Sequence, residues 1–155
     1  AQMIALNCTT VVDLVHAFLP GMRERGAGGV INVASVAGFQ PTPYMAVYGA
    51  TKAFVLSFTE SLWAELRGSG VRVTALCPGP VDTPFFEATG TPALRKTVPG
   101  PLMMQPRPVV EAALAALEAG QPVVVPGAAN KALTQLPRLL SRSFMAKMSA
   151  KVMGR

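Results

Sequence analysis

The hydrophobic pattern of the chain switches between helical and strand spacing. From Gln2 to about Arg25, Met3, Leu6, Leu14 and Phe18 recur along one stripe, and the segment predicts a long helix. Val30 to Val33 is a short β-branched run after Gly28-Gly29 and predicts a buried strand. Residues 45–66 predict a second long helix, whose stripe Phe54, Phe58, Leu62, Leu66 suits a core or a subunit interface. A second buried strand follows Gly68-Ser69-Gly70, begins at Val71 and stops at the Pro78-Gly79 break. Strand, helix and strand make a βαβ unit, which implies parallel pairing and a right-handed crossover.

The rest of the chain is less regular. Residues 85–105 are rich in Pro, Gly and Thr and read as a loop. Residues 108–119 predict a helix stopped by Gly120, and residues 122–127 a short strand whose prolines put it at a sheet edge or a strand end.

Candidate chemistry collects near the carboxyl ends of the two main strands. Tyr48 and Lys52 stand four residues apart on one helix, so their side chains share a face. A phenol ordinarily ionises near pH 10, and a neighbouring cation lowers that value, which makes the pair a candidate general acid/base. Ser35 falls at the end of the first strand, where open α/β sheets bind ligands. Its hydroxyl either donates to a substrate oxygen or satisfies loop backbone groups. Pro78 opens on the same edge, although Pro78-Gly79 also reads as a plain turn. Asn7 is a poor helix-interior residue within an apolar pattern, which marks either a helix irregularity or a functional amide.

In order and spacing these residues resemble the classical short-chain dehydrogenase/reductase family. The similarity covers nearly all of the chain from Ala1 to about Thr83 and extends more weakly beyond it. It implies an α/β fold: the C-terminal part of a doubly wound Rossmann-type parallel sheet, plus a C-terminal amphipathic helix. It also implies an NAD(P)-dependent oxidoreductase acting on a carbonyl or a secondary alcohol, with NADP ahead of NAD. The family's tetrad falls on Asn7, Ser35, Tyr48 and Lys52. By that resemblance Tyr48 passes the proton, Lys52 lowers its pKa and holds the nicotinamide ribose, and Ser35 polarises the substrate oxygen. Asn7 holds a water leading from Lys52 to solvent. Pro78, Gly79, Val81 and Thr83 take the positions near the nicotinamide. The loop after Thr83 becomes a flap over the substrate, with an apolar inner face from Phe85, Phe86, Leu94, Leu102, Met103 and Met104. The family also implies helix pairing across a homodimer or homotetramer axis.

One expected part is missing. A dinucleotide fold carries a glycine-rich phosphate turn in its first βα unit, but Gly26-Ala27-Gly28-Gly29 follows a helix and precedes a strand, the reverse order. The expectation is therefore a C-terminal portion: residues 1–127 as the catalytic half of a Rossmann-type domain, and residues 128–155 as a basic amphipathic tail. A rival reading is a truncated, non-catalytic dimerisation or membrane-surface module.

Composition narrows the choices. Half of the 155 residues are hydrophobic and 14% are charged, which is apolar for a free-standing domain. Two cysteines predict no disulfide framework, and the single histidine, His16, speaks against a metal site or a hydrolase triad. No signal peptide is visible and no uninterrupted apolar run reaches bilayer length, so the expected location is the cytoplasm. The net charge of +6 is uneven. Residues 1–105 carry seven Lys/Arg against six Asp/Glu, and residues 106–155 carry seven against two. In the tail, Lys131, Arg138, Arg142, Lys147, Lys151 and Arg155 interleave with leucine, phenylalanine and methionine. Such a tail covers the substrate pocket, lies on an anionic membrane surface as a peripheral contact, or stays solvated at the domain edge. No aromatic platform accompanies these charges, which disfavours nucleic acid.

Overall fold

The computed structural model describes residues 1–90, 95–96 and 98–153. Leu94 and Arg155, expected on the flap and the tail, lie outside these residues, as do the side chains of Val152 and Met153.

The first helix, α1, is one run with an irregular start: Gln2–Ile4, then a π-helical turn Ala5–Thr9, then Thr10–Arg25. It ends at Gly26, whose left-handed conformation (φ 62°) caps it. Strand β1 spans Gly28–Val33, and a 3₁₀ turn Val36–Phe39 follows. Helix α2 spans Ala46–Glu65 and leads into β2, Val71–Leu76. After the short α3 (Phe85–Ala88) and a 3₁₀ turn Gly100–Leu102 come α4, Pro106–Glu118, and β3, Val123–Val124.

The sheet is parallel, in the order β1-β2-β3. Gly28 pairs with Val71 and Val33 with Leu76, so β1 and β2 end level with each other. Alternation along β2 explains why helices cover both faces. Val71 and Val73 join Val15 of α1 and Leu62 and Leu66 of α2 in one cluster. Ala75 and Cys77 continue that face against Val55 and Leu56. Leu76 points the other way, onto Val109 and Ala113 of α4. Both faces of a short sheet are thus buried, the condition for the β-branched runs seen in the sequence.

Three expectations change. Leu62 is 8% exposed and belongs to the core, so it is not an interface residue; Phe54, at 41%, is the outward member of that stripe. The tail is not one helix but three: α5 (Ala128–Leu133), α6 (Leu136–Leu139) and α7 (Arg142–Met153). Pro137 accounts for the first break, because proline is tolerated in a helix's first turn and not in its interior. The tail docks rather than hangs free, since Met145 is 1% and Ser149 8% exposed. Finally, the helix Gln2–Arg25 is long and apolar enough to cross a membrane by length and composition. Here it lies on the domain through Val11, Val15, Leu19 and Met22 and leaves Leu6, Leu14 and Phe18 outward.

Candidate active site

The level ends of β1 and β2 create the site. Ala34 N–H donates to Leu76 C=O at 2.8 Å and Val36 N–H to Pro78 C=O at 3.0 Å, which carries the parallel pairing past both strands. Ser35 sits between these bonds, in extended conformation and 8% exposed. Its hydroxyl accepts from Ala37 N–H at 3.1 Å and lies 3.5 Å from Pro78 C=O. The loop-satisfying role is therefore present, and it leaves the hydroxyl at the carboxyl edge of the sheet. Gly38 lets this turn close on α2, because a Cβ there would stand 2.8 Å from the Lys52 carbonyl oxygen.

Tyr48 and Lys52 reach the same edge from α2. The Lys52 ammonium lies 5.7 Å from the centre of the Tyr48 ring and donates to Val33 C=O at 2.8 Å. Ser35, Tyr48 and Lys52 thus stand together at one sheet edge. The direction of the phenol's shift is not as predicted. Burial raises the Tyr48 pKa above its ordinary value, and the influence of the Ser35 hydroxyl pulls it back only in part. The Lys52 ammonium is bonded to Val33 C=O, and loss of solvent around the ring is the largest influence on the phenol. Lys52 itself is held below its ordinary value by burial, opposed by interactions with Cys77 and Cys8. The Cys77 thiol, fully buried at the end of β2, is pushed up to about 12 by burial and then by Glu60.

Asn7 makes its side-chain hydrogen bond to Thr51, not to the side chains of Tyr48 or Lys52, among the described residues. It lies in the π-helical turn of α1, so the helix irregularity is real. Its Nδ2 donates to the Thr51 hydroxyl at 3.0 Å, and Thr51 donates to Tyr48 C=O at 2.8 Å. Pi-helical turns often occur at functional sites, so the two readings of Asn7 do not compete.

The wall after β2 is built from Pro78, Gly79, Val81 and Thr83. Val81 bridges to Met104 in parallel, with Asp82 N–H donating to Met104 C=O at 2.8 Å and Met104 N–H to Pro80 C=O at 3.0 Å. These bonds hold Pro80–Asp82 against Met104, at the two ends of the segment expected to form the flap. Asp82 also pairs with Arg95 and accepts from Gln105 Nε2 at 3.2 Å. The Thr83 hydroxyl accepts from Phe85 N–H at 3.4 Å. The Phe85 ring then lies 6.3 Å from the Tyr48 ring, centre to centre. On the far side, an open groove of about 420 Å3 runs between residues 38–43, the start of α2 and Arg142 of the tail; neither Tyr48 nor Lys52 lines it.

Sequence reasoning missed Asn130. It is 1% exposed, and its amide fills the place where a Gly79 side chain would go: a Cβ there would collide with Oδ1, Cγ and Nδ2 together. Gly79 is glycine to admit Asn130. Nδ2 donates to Leu102 C=O at 3.1 Å, while Oδ1 is buried without a partner among the described residues. An unpaired buried acceptor costs about 1–3 kcal/mol. No local pattern marks Asn130, because its partners lie at Gly79 and Leu102.

The residues present suit a nicotinamide ribose and a carbonyl oxygen. An ammonium, a phenol and a serine hydroxyl converge at one sheet edge, beside a wall free of ionised side chains from Pro78 to Val81. The model of the family described as short chain dehydrogenase matches residues 1–93, and the chain belongs to that family. It is 39% identical over 116 residues to an uncharacterized oxidoreductase of Staphylococcus saprophyticus, covering 75% of this chain and 47% of that protein. A solved 7β-hydroxysteroid dehydrogenase superposes with a TM-score of 0.79 at 25% identity, over 95% of this chain and 57% of that one. A short chain dehydrogenase from Burkholderia cenocepacia, in complex with NADP, gives 0.73 at 32% identity, over 96% and 58%. The chain spans less than half the length of the curated relatives it matches, with 38% and 47% covered.

Proposed function

We propose that the protein carrying this chain is a nicotinamide-dependent oxidoreductase that interconverts a carbonyl and a secondary alcohol. The observation that supports it is the convergence of Ser35, Tyr48 and Lys52 at the carboxyl edge of a parallel sheet. A bound reduced nicotinamide supplies the hydride. Tyr48 Oη gives its proton to the oxygen that becomes the alcohol, and its raised pKa keeps that proton in place at neutral pH. Ser35 Oγ orients the same oxygen. Lys52 turns its ammonium from Val33 C=O toward the ribose hydroxyls. Asn7, through Thr51, fixes the helical turn that carries both Tyr48 and Lys52.

We place NADP ahead of NAD; neighbours of similar fold are solved with NADPH or NADP and others with NAD or NADH. Phe85 against Tyr48 favours an apolar carbonyl substrate, in keeping with the hydroxysteroid enzyme's similar fold. The outward Leu14, Phe18 and Phe54 suit pairing of two copies. The test is consumption of NADPH by the whole protein on bulky apolar ketones. Ketone-dependent oxidation of NADPH is expected, and its absence across ketones and aldehydes contradicts the reading.

A second reading concerns the tail. On α7, Phe144, Lys147, Met148 and Lys151 form an outward stripe, and Leu139 is 82% exposed. That mixture of apolar and basic side chains suits an anionic lipid surface. Co-sedimentation with phosphatidylglycerol vesicles is expected and should fall in high salt. Equal pelleting with neutral vesicles would contradict it.

A further inference from the structure

Asn130 sits where three distant segments meet. The turn after β2 presents Gly79 to its amide. The returning end of the flap presents Leu102 C=O to its Nδ2, at 3.1 Å. The start of the tail presents Gly127, at φ 84°, whose open side faces Asn130 Nδ2 and Met104 Sδ. Met104 in turn is bonded to Pro80 and Asp82. A residue serving only to fill this space would be apolar. Leucine has the same number of side-chain heavy atoms but is bulkier, would leave the Leu102 carbonyl without its donor, and would not offer the flat face that packs on Gly79.

We propose that Asn130 is the positioning residue of the wall formed by Pro78, Gly79 and Val81. Its amide sets the depth of that wall and ties it to both the flap base and the tail. Docking of residues 128–153 then becomes one equilibrium with the shape of the cofactor site. The catalytic part of this inference rests on the oxidoreductase reading; the mechanical part does not.

Two measurements separate these parts. The first is backbone amide hydrogen exchange on the whole protein, comparing Asn130→Leu with wild type. Exchange at Asp82 and Met104, whose N–H groups hold the flap base, should rise about tenfold, the effect of losing one hydrogen bond's worth of local stability. Exchange at Val73–Leu76 in β2 should not change. Unchanged exchange at Asp82 and Met104 overturns the proposal, and so does an equal rise throughout β2, which would make Asn130 ordinary core. The contact itself is tested by Gly79→Ala. Alone it should loosen the same amides, and combined with Asn130→Ala it should loosen them less than the sum of the two; strict additivity overturns the contact as the cause.

The second measurement is steady-state kinetics of the whole protein. Asn130→Leu should raise KM for the nicotinamide cofactor at least about tenfold, with a smaller effect on KM for the carbonyl substrate. Equal effects on both overturn a role at the nicotinamide wall. A wild-type protein without turnover sinks the oxidoreductase reading, while the exchange result still decides whether Asn130 holds the wall.

Discussion

Asn7 donates to the Thr51 hydroxyl at 3.0 Å, and so joins the π-helical turn of α1 to the turn of α2 that carries Tyr48 and Lys52. The same arrangement recurs two turns along α2. Asn32 of β1 donates to the Thr59 hydroxyl at 3.0 Å, and Thr59 donates to Val55 C=O. Two asparagines therefore lock one helix to its neighbours through threonines that are 3% and 0% exposed. The first lock sits at the site and the second in the core. Asn7→Ala and Thr51→Val should each lower stability by about 1 kcal/mol, the net worth of one such bond. Their double variant should cost clearly less than the sum, as measured by urea unfolding. Full additivity would mean that the bond does not form.

The Tyr48 phenol should ionise above pH 10, its ordinary value, because burial raises it. Subtracting the ultraviolet titration of Tyr48→Phe from that of the wild type isolates its phenolate. A midpoint below 10 would contradict the account. Stability follows the same shift. The native chain keeps this proton longer than the unfolded one, so the contribution of Tyr48 is intact below pH 10 and is lost as pH rises through the folded value. Lys52 works in the opposite sense. Its lowered value makes the unfavourable burial of its charge present at neutral pH, and this is relieved as pH rises through the folded value toward 10.5.

The two thiols should react differently. Cys77 is fully buried with its thiol pushed up to about 12, and Cys8 is half-buried in the π-helical turn. Iodoacetamide at neutral pH should label the folded chain once, at Cys8, and twice after unfolding. Label on Cys77 in the folded chain would show that the carboxyl end of β2 is open to solvent.

Self-association should depend on the outward residues and not on Leu62. Leu14 and Phe18 on α1 are 53% and 61% exposed, and Phe54 stacks on Phe58 with ring centres 5.8 Å apart. Charged replacements at Leu14, Phe18 and Phe54 should yield folded monomers by sedimentation. Leu62→Glu should instead unfold the domain, because it puts a charge among Val15, Val71 and Val73. Dimers that survive the triple replacement would remove this surface from the interface.

The sheet and its helices were legible because both signals are local. Val30 to Val33 and Val71 to Leu76 are β-branched runs between glycine and proline breaks, and the structure places strands there. Tyr48, Lys52 and Ser35 were legible because helical spacing and a strand end fix where they point. The direction of the Tyr48 shift was not, since it depends on how much solvent the fold removes from the ring. Leu62 read as a stripe residue, yet only the packing of Val15 decides that the stripe divides between core and surface. Asn130 was invisible for a stronger reason. Its meaning comes from Gly79, 51 residues earlier, and from Leu102, 28 residues earlier, and neither position signals the other.

The central claim is that Tyr48 moves the proton. The direct measurement compares wild type with Tyr48→Phe in the whole protein, reading cofactor affinity by nicotinamide fluorescence and turnover on an apolar ketone. Affinity should stay within about twofold, and kcat should fall by roughly 10²–10⁴-fold, the usual worth of a positioned general acid. A Tyr48→Phe protein that binds cofactor and still turns over at the wild-type rate would contradict the account.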